Sequence, residues 1–282
     1  MILTVVSNIT LDYIRDKEGV VTESLGGPGC YCGLTARRFS FDVTLATNIK
    51  KDFLMYKRFL LNEGIMIKEL HLNDHATVRL TMDDIREIET DCWLVSPVIN
   101  EVPENVLRRI ILHGGKRDFV MVDPHGYTKT VNSSGEIISV DKLSVDLSGV
   151  SAIKADKTVL TLLTGGLEGV SAMQYLQARA KIKFVISTQY RIIHLLYNGM
   201  HYWIQLKDID SPDSTGVGDI LCAAFCCAYI KENDPLWALS FGAGAVRAAL
   251  ETRKRGLGKI PSKSKIEQSA SYYYNTISFK RL

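Results

Sequence analysis

Short apolar runs rich in β-branched residues alternate with stretches of helical period along the 282-residue chain. The runs lie at residues 2–6, 43–46, 119–122, 184–187 and 192–197. The helical periods lie at 29–39, 53–62, 104–113, 171–180, 217–230 and 236–251. Strands buried on both faces read as continuous apolar segments, and parallel neighbours need a crossover helix between them. The order therefore predicts an α/β fold, a central and mostly parallel sheet with helices on both faces. Asp52 and Pro235 stand where a capping acid and a first-turn proline belong. Two segments break the pattern. Residues 12–25 are short and polar, with a turn at Glu18-Gly19. Residues 69–93 read as a hairpin, with strands at 76–82 and 85–92 about a turn at Asp83-Asp84. Both alternate apolar and polar residues, as strands wet on one face do. They predict a small accessory β-sheet beside the main one. No repeat, low-complexity tract or linker interrupts the chain, so residues 1–282 read as one domain with lid-like excursions at 12–25 and 69–93.

Composition narrows the class. Apolar residues make up 46% and charged residues 23%, which excludes a chain disordered throughout. The longest apolar stretch, residues 220–230, is about 11 residues, well short of the roughly 20 that cross a bilayer. Residues 1–7 lack the basic start of a secretory signal and read as a buried strand, so the expected compartment is the cytoplasm. The six cysteines (Cys30, Cys32, Cys92, Cys222, Cys226 and Cys227) form no C-x-x-C and have no zinc-type spacing to histidine. They read as buried thiols. Of the remaining charge, residues 253–282 hold eight Lys/Arg and one acid, Glu267. Tyr272, Tyr273 and Tyr274 cluster there instead of interleaving with the charges, which argues against a single-strand nucleic-acid groove. A solvated basic surface is the expectation. His71, His75, His113, His194 and His201 read as surface or packing residues.

The most chemically loaded stretch is Asp213-Ser214-Thr215-Gly216-Val217-Gly218-Asp219, followed at once by the apolar helix 220–230. Glycines at a helix start let backbone amides approach an anion closely, and the helix dipole adds positive potential there. A carboxylate beside such a cradle is poorly suited to bind the anion itself. It is suited to take a proton from a hydroxyl that attacks the anion. These residue types in this order point to phosphoryl transfer, with Asp219 as base and the amides of Gly216, Val217 and Gly218 as anion hole. A capped helix with a glycine turn is the simpler alternative.

This stretch resembles the D-T-x-G-A-G-D signature of ribokinase-like (PfkB-type) carbohydrate kinases. A second resemblance lies in Gly26-Gly27-Pro28-Gly29, which opens the helix containing Ala36-Arg37-Arg38-Phe39. The first strand ends in Ser7-Asn8, with Asp12 just beyond, at the family's substrate-gripping position. A third is Asp123-Pro124-His125-Gly126-Tyr127-Thr128-Lys129, similar to the D-x-Q-G-x-x-R run of inositol-kinase-like and archaeal-type members, with His125 for Gln and Lys129 for Arg. The resemblance runs from Met1 to about residue 260. It implies that Asp219 is the catalytic base, that Asp12, Gly26 and Gly27 bind substrate, and that Asp213 lies near a cation or the phosphates. It implies ATP and Mg2+ as cofactors, with Thr188 on the nucleotide side and Lys129 neutralising phosphate charge. It further implies that the accessory sheet is a lid closing over a small polyhydroxy substrate. Exposed sheet edges invite pairing, so a homodimer can form through the lid, and the composition leads us to expect no nucleic-acid or membrane partner.

Three departures shape the expectation. Tyr31 stands where the family has Asn, which predicts an aromatic face stacking against a cyclitol or nucleoside in preference to ribose. The family's N-x-x-E aligns with Asp156-Lys157-Thr158-Val159, without the final acid. Ser187-Thr188-Gln189-Tyr190-Arg191 lacks both glycines of the nucleotide-side loop T-x-G-x-x-G. The expected function is ATP-dependent phosphorylation of a sugar, polyol or nucleoside hydroxyl. The alternative is a non-catalytic sugar- or nucleotide-binding homologue.

Overall fold

The computed structural model describes residues 1–15, 19–49, 53–69, 81–114 and 118–282. Among them, the main sheet has ten strands. Its parallel half consists of β1 (Ile2–Val6), β4 (Asp42–Thr47), β5 (Ile65–Glu69), β6 (Cys92–Val95), β7 (Phe119–Val122), β10 (Ala152–Asp156) and β11 (Phe184–Gln189), in the order β5-β4-β1-β6-β7-β10-β11. Three antiparallel strands extend the far edge: β12 (Ile192–Tyr197), β13 (Met200–Gln205) and β14 (Ser278–Arg281). The apolar runs become strands because helices cover both faces. Leu3, Val5 and Val6 of β1 are fully buried, as are all four residues of β6.

On one face lie α1 (Gly27–Arg38), α7 (Val217–Glu232), α8 (Pro235–Glu251) and α9 (Lys263–Tyr274), packed on Leu3, Val5, Leu94 and Met121. On the other lie α4 (Glu104–Gly114), α5 (Lys157–Thr164) and α6 (Gly169–Ala180), packed on Val6, Trp93, Val95 and Ile153. Two of these helix starts are fixed by side chains, one of them at the expected Pro235. Asp234 accepts from the Leu236 and Trp237 amides at 2.8 and 3.1 Å ahead of Pro235 in α8, and Asp156 accepts from the Val159 amide at 2.9 Å ahead of α5. Asp52 lies outside the described residues. No described helix is long and apolar enough to cross a membrane. All six cysteines are buried thiols.

The first excursion is an antiparallel pair of its own, β2 (Thr10–Arg15) and β3 (Val21–Gly26), in register Asp12 to Ser24. The second differs from the hairpin read from the sequence. Residues 70–80, which hold most of its first strand, lie outside the described residues. Of the remainder, Met82–Glu87, spanning the expected turn and the start of the second strand, is a helix, α3, while Cys92 and Trp93 belong to β6 in the main sheet. The reason is local. Thr81 Oγ1 accepts from the Asp84 amide at 3.1 Å and Asp84 Oδ2 accepts from the Thr81 amide at 2.9 Å, a capping box. Asp83 and Asp84 thus open a helix instead of turning a hairpin. A different small sheet forms further on from β8 (Lys129–Val131) and β9 (Ile137–Ser139).

Seven of the eight basic residues in the C-terminal stretch are exposed or half-exposed, as a solvated surface requires, and one is not. α9 packs on α8, β14 pairs with β13, and Lys259 is fully buried.

Candidate active site

Parallel strands place their C-terminal ends along one edge of the sheet, where α/β folds build their sites. Asn8 after β1, Asn48 after β4, Ser96 after β6, Asp123 after β7, Asp156 at the end of β10 and Thr188 near the end of β11 all lie on this edge. The β2–β3 pair and the start of α7 meet there. Two adjoining hollows occupy the edge and share Leu11. One, of about 520 Å³, runs between Asp12 and Asp213 to Thr215. The other, of about 370 Å³, is lined by Asn8, Thr10, Asn48, Phe53, Val98 and Glu101, among others.

Asp219 sits in the first turn of α7, half-buried, with Oδ1 accepting from Ser96 Oγ at 3.4 Å. Burial and the nearby Asp123 carboxylate push its pKa up to about 7, against the opposing pull of Lys154, the Ser96 hydroxyl and His125. Behind it, Lys154 Nζ donates to Asp123 Oδ2 at 2.8 Å, an ion pair with both partners buried. Burial works against the Lys154 charge, and Asp123 more than offsets it, leaving Lys154 above the usual lysine range. A Cβ on Gly218 would stand 2.9 Å from Lys154 Nζ, so the ammonium lies directly under the glycine turn that starts α7. Beside this pair, His125 Nδ1 lies 3.1 Å from Asp156 Oδ2, and the contact holds Asp156 down at about 2 despite partial burial.

Gly216 caps α7 in the left-handed region at φ +75°, and a Cβ there would collide with the Tyr31 ring. Two independent costs therefore attend any side chain at this position. Gly216→Ala is expected to lower the thermal midpoint and cut turnover more than tenfold. Gly165→Ala meets only the left-handed strain, at φ +69° with open space around it. It should cost about 1–2 kcal/mol and leave turnover intact. Equal behaviour of the two variants in denaturation and rate measurements would contradict the packing argument.

On the β2–β3 pair, Asp12 Oδ1 accepts from Thr10 Oγ1 at 2.7 Å. Asp12 Oδ2 is buried and has no hydrogen-bond partner among the described residues. It lies against Gly26, where any Cβ would overlap it. A buried carboxylate oxygen left unmatched calls for a donor from outside, as a substrate hydroxyl would provide. Gly27, at φ +78°, keeps the chain close to Thr10. Glu101 was not singled out from the sequence. It is buried and accepts from the amides of Asn8 at 3.1 Å and of Val98 and Ile99 at 2.8 Å, tying the loop after β6 to the end of β1.

Other sequence expectations change. The Tyr31 ring is fully buried between Gly216 and Lys259, so its face is not offered to a substrate ring. Its hydroxyl is buried and unpartnered among the described residues. Asp213 is built into the fold. Its oxygens accept from the amides of Thr215 and Gly256, each at 2.8 Å, and from Lys259 Nζ at 2.5 Å. These bonds hold its pKa below the usual carboxylate range although burial opposes them. Thr188 lies in register with Asp156 on the sheet edge, and Lys129 opens β8, half-exposed. His194 and His201, read as surface or packing residues, hydrogen-bond at 2.9 Å across β12 and β13, away from this edge. Burial lowers the pKa of both.

No protein-family model and no curated protein matches the chain. Solved structures match over nearly its whole length. A pyrophosphate-dependent kinase in the ribokinase family, complexed with a pyrophosphate analogue and myo-inositol, superposes with a TM-score of 0.76 at 16% identity, covering 95% of this chain and 99% of that one. The ribokinase of Thermotoga maritima gives 0.71 at 16% identity, with 96% and 98% covered. The fructokinase of Vibrio cholerae, bound to fructose, ADP and calcium, gives 0.74 at 14% identity, with 95% and 98% covered. At such identities the likeness is one of architecture: this chain has the ribokinase-like fold.

Proposed function

We propose that this chain is a carbohydrate kinase that transfers the γ-phosphoryl group of ATP to a hydroxyl of a small sugar, polyol or nucleoside. The observation that carries the reading is Asp219, a half-buried carboxylate with a pKa raised to about 7 at the glycine-capped start of α7. That value lies near neutral pH, where a general base is most effective. In the proposed step the acceptor hydroxyl gives its proton to Asp219, and the oxygen attacks the γ-phosphorus in line. The bond from that phosphorus to the bridging oxygen breaks, and ADP leaves. The amides of Gly216, Val217 and Gly218 hold the phosphoryl oxygens, with the Lys154 charge beneath them. Asp12 Oδ2 orients a second acceptor hydroxyl, Gly26 and Gly27 give it room, and the β2–β3 pair covers the acceptor as a lid. The exposed Tyr13 and Val21 on that pair, with Val20 just before β3, support a homodimer formed through it.

Magnesium fits only as a companion of the donor. The described residues offer no cluster of three His, Cys, Asp or Glu side chains able to hold a metal, and Val159 replaces the family acid. An ion held by phosphate oxygens and water, with Asp156 nearby, suits its preference for few protein ligands. Thr188 and Lys129 are the proposed donor-side contacts.

Pyrophosphate is the second donor to consider. β11 runs into β12 through Tyr190 and Arg191, both left-handed, with no glycine in the turn, and a similar structure is a pyrophosphate-dependent kinase. The test is a product screen of pentoses, hexoses, inositols, nucleosides and sugar acids with ATP or pyrophosphate. Acceptor-dependent transfer from ATP is the expected result, and transfer from pyrophosphate alone would reassign the donor. Ligand binding without transfer from either donor would favour the non-catalytic homologue.

A further inference from the structure

Lys259 has no exposed surface, and its ammonium meets one carboxylate oxygen and two backbone carbonyls. Nζ lies 2.5 Å from Asp213 Oδ2, 2.7 Å from Thr215 O and 3.2 Å from Asp213 O, with the Tyr31 ring centroid at 5.6 Å. All three oxygens belong to the short segment that leads into the anion-hole turn. In a trans peptide the C=O and N–H point in opposite directions. Holding Thr215 O on the ammonium therefore turns the Gly216 amide away from it, as an anion cradle requires. The aromatic ring closes a further side of the cage and packs under Gly216 itself.

We propose that Lys259 acts as a tethered monovalent cation that sets the anion-hole turn, so that turnover needs no dissolved alkali cation and removing the side chain creates that need. Two carbonyls, a carboxylate oxygen and an aromatic face are a donor set that also suits a dehydrated potassium or ammonium ion. The lysine supplies the same charge covalently and at no concentration cost. Burial pushes the Lys259 pKa down and the Asp213 carboxylate opposes that shift. Lys259 is a positioning residue, since it touches the turn and not the substrate. The segment that carries it also reaches the lid: Gly256 donates to Asp213, and a Cβ on Gly256 would overlap Ser24 of β3. One buried charge thus ties the anion-hole turn to the base of the acceptor cover.

For its rate readout the proposal rests on the kinase reading, but its stability readout does not. The experiment compares wild type, Lys259→Ala and Lys259→Met in choline, potassium and ammonium chlorides at equal ionic strength, by melting temperature and acceptor-dependent turnover. Wild type is expected to be indifferent to the cation. Lys259→Ala should lose about tenfold or more in choline, less than removal of a direct oxyanion donor. It should recover most of that loss in potassium or ammonium, with a melting temperature that rises saturably with the ion, as binding to the native state alone requires. Lys259→Met keeps the cage filled by an uncharged chain and should not recover. A lysine with a merely structural role would lower stability without this rescue. The proposal is overturned if wild type depends on potassium, or if Lys259→Ala regains neither melting temperature nor rate in either salt, including by failing to fold in all of them. If wild type phosphorylates no acceptor, the kinase reading fails while the saturable melting response still decides the role of Lys259.

Discussion

Asp219→Asn should fold normally, bind donor and acceptor, and turn over about 100- to 10,000-fold more slowly than wild type, the usual loss when a general base is removed. The amide is nearly the size of the carboxylate, and the contact with Ser96 Oγ at 3.4 Å survives the change. Because Asp219 is pushed towards neutrality by burial and by Asp123, replacing it removes an unfavourable buried charge, so stability should hold or rise. The variant thereby separates chemistry from folding. Rates above a third of wild type, with acceptor binding unchanged, would remove Asp219 from the role of base.

The second large effect concerns stability. Lys154→Met leaves Asp123 buried without its partner, and removing one member of such a pair typically costs about 3–5 kcal/mol. Pairing it with Asp123→Leu should return much of that loss, because two apolar side chains leave no charge stranded. Urea denaturation of the two single variants and the double variant measures the coupling. A mild loss for Lys154→Met, below about 1 kcal/mol, would mean that the pair is solvated and the electrostatic account of the site is wrong. The variant has a second signature. Lys154 pulls the Asp219 pKa down, so without it the rise of rate with pH should move to higher pH.

What could be read from the sequence was local. The motif from Asp213 to Asp219 and the glycines at 26 and 27 are contiguous, and their chemistry follows from residue type and order. The alternation of apolar runs gave the sheet because buried parallel strands carry their signature in their own residues. The pairings across the chain were not legible. Lys259 meets Asp213 from 46 positions away, and Lys154 meets Asp123 from 31. Only Lys154 left a signal, as a single charge inside the otherwise apolar start of β10, Ala152-Ile153-Lys154-Ala155. Lys259 left none, since basic neighbours at 253–255 and 263–265 made it look like one more surface charge. β14 was missed because its residues are all exposed, so it carries no buried face to read. α3 was missed because a capping box and a hairpin turn both use adjacent acids. Tyr31 went wrong in direction: residue type shows an aromatic face, but only the packed helix shows that Gly216 and Lys259 already occupy it.

The most direct test of the proposed chemistry is the pH dependence of kcat/KM for the best acceptor, in wild type and in Asp219→Asn. A base acts only when ionised, so the rate should climb as pH rises through the raised pKa of about 7 and level off above it. The residual rate of Asp219→Asn should lack that limb. A flat or falling wild-type profile across this range, or the same rising limb kept in Asp219→Asn, would contradict the assignment of Asp219 as the base.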